Sequence, residues 1–221
     1  MMPRRATLCS ILFSSVLASA LPGMQAIAAT PAQLSNFFRA VQTDDARTVK
    51  SLLGTDVNPN ETSPVGGEPP LVLALREGAM DVFQVLLNHP GTQLDAVAMN
   101  GNSALMMAAF KRNRPAAEAL IAKGAVVDRK GWTALHYAAA SGDTDIAGLL
   151  LAHGAKIDAA SPPASGSYTP LMMAAREGKD EAALWLLKHG ANPRLKNTEG
   201  LTAAQIAAHA DHPDLARALA P

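Results

Sequence analysis

Two stretches decide how this chain is read: Thr133-Ala134-Leu135-His136-Tyr137-Ala138-Ala139 and Thr169-Pro170-Leu171-Met172-Met173-Ala174-Ala175. In each, a glycine stands seven residues after the leucine (Gly142, Gly178). A leucine pair stands fifteen and sixteen after it (Leu150-Leu151, Leu186-Leu187), and a Gly-Ala pair follows (Gly154-Ala155, Gly190-Ala191). The same ruler fits Leu105, with Ala108-Ala109, Leu120-Ile121 and Gly124-Ala125, and it fits Leu71, with Gly78 and Leu86-Leu87. Weaker copies start at Phe37, with Leu52-Leu53, and at Ala204, with Leu219. The reference positions 37, 71, 105, 135, 171 and 204 are separated by 34, 34, 30, 36 and 33 residues. Several offsets recurring together mark an internal repeat rather than one chance motif.

Each unit reads as two short helices. Thr169 is placed to cap the first, and Pro170 sits in the opening turn, where a missing N–H costs nothing. Ala174 and Ala175 are small because a neighbouring helix must approach closely. Gly178 ends the first helix in a left-handed conformation that glycine adopts freely. Leu186 and Leu187 belong to the buried stripe of the second helix, Gly190 closes it, and a hairpin leads on. No unit can bury its apolar face alone, so stacking supplies the core.

The period and the T-P-L-H-x-A-A string resemble the ankyrin repeat, whose period is about 33 residues. The resemblance implies an all-α ankyrin-repeat solenoid of about six helix-turn-helix repeats joined by β-hairpin loops. The expected repeats are 34–60, 67–95, 101–128, 131–158, 167–196 and 200–221. Terminal units depart from the pattern: Asp44 replaces the turn glycine of the first, and Ala204 the reference leucine of the last. Arg112 occupies the glycine position of the third, so a strained or reshaped turn is expected at Arg112-Asn113. The hairpin from Gly124 to Gly131 is short, whereas residues 159–168 form an excess rich in Ser, Pro and Gly, and Pro59 to Pro70 is similarly loop-like. Such insertions are either part of a binding face or tolerated surface loops.

The first 28 residues read as a secretory signal: Arg4 and Arg5, an apolar run from Leu8 to Leu21, then Pro22-Gly23 and an Ala26-Ile27-Ala28 site. Cleavage is expected after Ala28, with Ala29 as the alternative. The apolar run is shorter than the roughly 20 residues a membrane span needs. Its removal takes two of the 19 Lys and Arg side chains and none of the 19 Asp and Glu, leaving a net charge of −2. It also takes Cys9, the only cysteine, so the mature chain of 29–221 is thiol-free, as suits an oxidising compartment. A soluble periplasmic protein of a Gram-negative bacterium, acting as a monomer, is expected. The absence of net positive charge argues against nucleic acid as partner.

Ankyrin arrays bind partners through the hairpin tips and the exposed side of the first helices, and that implication carries onto particular positions. Three residues before the reference lie Glu68, Asn102, Trp132, Tyr168 and Leu201; five and six after it lie Arg76-Glu77, Phe110-Lys111, Ala140-Ser141, Arg176-Glu177 and His209-Ala210. Exposed Trp, Tyr and Arg are the side chains that dominate interface energetics. A partner-binding patch of Phe110, Trp132 and Tyr168, flanked by Arg129, Lys130 and Arg176, is therefore expected. The alternative for Trp132 is packing on the adjacent hairpin. His136, in the T-x-L-H slot, has a structural reading, as do His153 and His189 at helix ends. His209 and His212 have H-x-x-H spacing without a third ligand nearby, and Met106-Met107 and Met172-Met173 recur as packing.

A catalytic site would need a nucleophile with its base, or paired carboxylates, and none interrupts the repeat. No catalytic, cofactor or metal residue is expected. The leading function is a module that binds and stabilises or regulates another protein. Resemblance to exported bacterial ankyrin proteins suggests an oxidative-stress enzyme such as catalase. The alternatives are an immunity protein against a toxin delivered to the periplasm and, from another class, an enzyme or metal carrier.

Overall fold

The structure, a computed structural model, describes residues 29–53 and 57–220. The expected signal segment 1–28 lies outside the described residues. Six helix pairs follow one another: α1 (Pro31–Gln42) and α2 (Ala46–Leu53), α3 (Pro70–Glu77) and α4 (Met80–Asn88), α5 (Ala104–Phe110) and α6 (Arg114–Ala122). Then come α7 (Ala134–Ser141) and α8 (Thr144–Ala152), α9 (Pro170–Arg176) and α10 (Asp180–Lys188), α11 (Ala203–His209) and α12 (Pro213–Leu219). The first helices stack in chain order, α1 on α3, α5, α7, α9 and α11. The second helices form a row behind them, with α2 on α4, α6 on α8, α8 on α10 and α10 on α12. This is the all-α solenoid that the repeat requires.

Helices this short are marginal alone. Local caps and lateral packing sustain them. Ser103, Thr169 and Thr202 each accept a hydrogen bond from the amide three residues on, and Asp45, Asn113 and Asp143 do the same for second helices. The core is one continuous layer of small and medium side chains. Ala108, Ala109, Ala138, Ala139, Ala174 and Ala175 are buried where adjacent first helices meet. In the second helices of the four internal units the leading member of the leucine pair is fully buried (Leu86, Leu120, Leu150, Leu186), whereas Leu52 of the first unit is half-buried. The follower is half-buried in Ile121, Leu151 and Leu187, so the buried stripe is narrower than the sequence suggests.

Every turn between paired helices is left-handed at the same position. Gly78, Gly142 and Gly178 hold it in three units, and Asp44 (φ 56°), Arg112 (φ 57°) and Asp211 (φ 63°) in the others. The turn at Arg112 is thus strained but not reshaped. Asp44 is compensated, because its carboxylate accepts the amides of Val82 (2.9 Å) and Asp81 (3.4 Å) and caps α4 of the next unit. Arg112 has only a long contact, 3.6 Å, from its exposed guanidinium to the largely buried Asp143 carboxylate. A contact this long, with the guanidinium in solvent, contributes little, while left-handed geometry costs a non-glycine residue about 1 kcal/mol. Arg112→Gly is expected to raise stability by about that amount in urea denaturation, whereas Asp44→Gly, which loses the caps, is expected to lower it.

The connecting fingers lack the expected β-hairpin ladders. Among the described residues no strand forms, and the one antiparallel bridge joins Val97 to Ser103. Fingers are closed instead by isolated bonds, such as Ser161 N–H to the Tyr168 carbonyl (2.8 Å) and Asn197 N–H to the Leu201 carbonyl (3.0 Å). Successive fingers are tied by side chains: Asn60 accepts the Gln93 amide (2.7 Å), Asp95 that of Val126 (2.9 Å) and Asp158 that of Asn192 (3.0 Å). Between the short third finger, joining α6 to α7, and the fourth, joining α8 to α9, an Asp128–Lys156 ion pair (2.7 Å) stands where that bond would be.

Candidate functional site

The inner surface of the central repeats carries a groove of about 310 Å³ between α5, α7 and α9. Phe110, the last residue of α5, is 52% exposed and forms one end. Its ring stands edge-on to Tyr137 at 6.3 Å. Trp132 lies just before α7 and stands edge-on to His136 (5.2 Å) and Tyr137 (6.3 Å). Such edge-to-face geometry is favourable for aromatic quadrupoles and holds the three rings in fixed relative orientation. Trp132 is half-buried, with its ring against His136 and Tyr137 of α7. Ala140, Met173, Arg176 and Glu177 complete the wall.

Polar bonds fix this wall. The Tyr137 hydroxyl donates to Asn102 Oδ1, and burial raises its pKa above the ordinary tyrosine value. The Arg176 Nε–H donates to Glu177 Oε1 (3.0 Å), and the guanidinium lies 5.4 Å from the centre of the Tyr168 ring, a cation–π distance. His136 is buried beneath. Its Nε2 lies 2.9 Å from the Tyr168 carbonyl, which can only accept, so Nε2 carries the hydrogen. Nδ1 then accepts from the Thr133 amide (3.2 Å). Burial pushes the ring's pKa down to about 4, only partly opposed by backbone bonds to Tyr168 and Ala159.

The expected six-residue patch falls into two neighbouring concavities. Phe110, Trp132 and Arg176 line the groove, and Tyr168 borders it through Arg176. Arg129 and Lys130 instead line a separate cleft of about 450 Å³ between the third and fourth fingers, with Asp128, Gly131, Lys156, Ala159 and Ala160. Residues 159 and 160 belong to the long insertion, so part of it borders the cleft.

Tyr137, half-buried, and Met173, buried, were not legible as groove-lining residues. Both sit two after the reference, where Met107 and Ile206 are buried, and so read as core. Residues two and five after the reference share a helical face; that periodicity points to them. Lys156 was missed because it lies in sequence outside the repeated offsets.

His153 and His189 have local partners. His153 Nδ1 lies 2.9 Å from the Leu149 carbonyl and His189 Nδ1 2.7 Å from that of Trp185, each at the end of its helix. His189 also stacks on the Trp185 ring at 3.7 Å. Among the described residues no group of three or more His, Cys, Asp or Glu side chains could hold a metal ion, and no helix is long and apolar enough to cross a membrane.

Comparison with known proteins places this arrangement. A family model described as ankyrin repeats in three copies matches residues 37–130, 90–161, 126–197 and 158–221, in overlapping registers. The chain is 32% identical over 176 residues to the SH3 and multiple ankyrin repeat domains protein 2 of Homo sapiens, spanning 77% of this chain and 9% of that protein. It is 33% identical over 168 residues to the nuclear factor NF-kappa-B p105 subunit of Gallus gallus, spanning 73% of this chain and 17% of that one. It is 31% identical over 163 residues to protein glp-1 of Caenorhabditis elegans, spanning 65% of this chain and 12% of that one. The match therefore covers less than a fifth of each relative's length.

Proposed function

This chain belongs to the ankyrin-repeat family, and on that premise we propose that it is an exported, non-enzymatic, monomeric module. In this reading it binds one partner protein through the groove at Trp132 and stabilises or regulates it. The repeats themselves indicate a protein-interaction module. The observation that carries the finer reading is the groove: three aromatic rings in edge-on contact along the first helices, with Phe110 half-exposed. Rigid aromatic anchors give a large contact area at low entropic cost.

The expected location is the periplasm, on the strength of the ordered signal at 1–28 and the thiol-free remainder. N-terminal sequencing of the processed chain is expected to begin at Ala29. The resemblance to exported bacterial ankyrin proteins makes an oxidative-stress enzyme such as catalase the first partner to try. Capture of a toxin would instead move the role to immunity.

The double variant Trp132→Ala, Tyr168→Ala tests the groove. The partner is recovered from a periplasmic extract, purified, and titrated against both forms. Affinity is expected to fall at least tenfold, the range of interface anchors, while far-UV circular dichroism is unchanged. The fold should survive because the His136 bond uses the Tyr168 backbone carbonyl and not its ring. A folded variant with full affinity removes the groove from the interface.

A further inference from the structure

We infer that the cleft between the third and fourth fingers binds an acidic stretch of the partner protein. The cleft gathers Arg129, Lys130 and Lys156 against one carboxylate, Asp128. Asp128 is engaged by Lys156 at 2.7 Å. Arg129 and Lys130 have no ion-pair or side-chain hydrogen-bond partner among the described residues. The nearby Asp158 is occupied in holding the Asn192 amide of the next finger. The cleft therefore carries an excess of two positive charges in a chain whose overall net charge is zero. Its floor is Gly131, Ala159 and Ala160, which leaves about 450 Å³ open to an incoming side chain.

An acidic peptide fits these features better than nucleic acid. Three cations with an interposed carboxylate make a poor phosphate track, and no aromatic ring lines the cleft to stack a base. The cleft also adjoins the aromatic groove. Lys130 and Gly131 line the one and Trp132 the other, and two residues of chain span at most about 7 Å. One linear segment can thus place carboxylates in the cleft and an apolar side chain in the groove. This second step rests on the groove reading above; the acidic contact does not.

The test uses fluorescence anisotropy with the purified full chain and a labelled peptide of four acidic residues followed by Gly-Leu-Leu. Binding is expected, weakening steeply between about 50 and 300 mM salt. The double variant Arg129→Glu, Lys130→Glu is expected to lower affinity at least tenfold. Both side chains are unpaired, so the fold is retained. Lys188→Glu, an exposed charge on α10, is expected to leave affinity unchanged. The inference is overturned if the acidic peptide does not bind, if the charge-reversed variant binds as well, or if a lysine counterpart or a single-stranded oligonucleotide binds more tightly. Trp132→Ala separates the two readings. Loss on charge reversal without loss on Trp132→Ala keeps the cleft and removes the groove. The opposite result keeps the groove and removes the cleft.

Discussion

Lowering the pH from 7 to 4 is expected to remove about 3 kcal/mol of stability, and His136 is the reason. The ring is 1% exposed, and burial holds its pKa near 4 against an ordinary value of 6.5. The folded-state value is the depressed one. Between pH 6.5 and 4 the unfolded chain therefore takes up a proton that the folded chain refuses. The contribution is fully present above pH 6.5, declines as pH falls through that window, and is gone below 4. A shift of this size converts to about 3 kcal/mol. The geometry gives the same sign, since protonating Nδ1 would turn it from the acceptor of the Thr133 amide into a donor facing a donor.

Urea denaturation at pH 7, 5.5 and 4 measures the effect. His136→Gln is expected to be less stable than the native chain at pH 7 but to show a much flatter pH profile. If the variant keeps the native slope, the titration lies elsewhere. The loss should also be local. His136 links α7 to the Tyr168 carbonyl of the following unit, so hydrogen exchange is expected to rise first in α7 and α9 and last in α1 and α3.

The solenoid was legible because it is written six times. A single Thr-Ala-Leu-His string is a weak signal; the same offsets at Leu71, Leu105, Leu135 and Leu171 are a strong one. The turn position was legible even where its glycine is missing, at Asp44 and Arg112, whereas the left-handed Asp211 of the last unit was not singled out. What was not legible depends on contacts between units. The fingers were expected to pair as hairpins, but side chains such as Asn60 and Asp158 tie them to their neighbours instead. The site shows the same limit. Trp132 and Phe110 stood out as aromatic residues at exposed offsets. Tyr137 did not, because it sits in the buried-looking string Leu135-His136-Tyr137, yet it is half-buried and lines the groove. Arg129 and Lys130 are close to Trp132 in sequence, yet they project into a different concavity, since the chain turns through Gly131 (φ 85°) between them.

Leu135→Ala is expected to cost about 3 kcal/mol, within the range for a fully buried leucine truncated to alanine. Leu135 is wholly buried in α7, which packs on α5 at one side and α9 at the other. Both neighbours are themselves held by rows of alanine, and small side chains on fixed helices cannot collapse into the void. In a linear array stability is close to a sum of unit and interface terms. A cavity in the middle weakens two interfaces, while one in the last unit weakens one. Leu215, 2% exposed in α12, is the matched control, because α12 has neighbours on a single side. Leu215→Ala is expected to cost roughly half as much and to fray the C-terminal end without splitting the transition. Leu135→Ala, by contrast, is expected to broaden the urea transition as the two halves begin to unfold separately. Equal costs at the two positions, each with a single sharp transition, would show that the array behaves as one cooperative core rather than as stacked units.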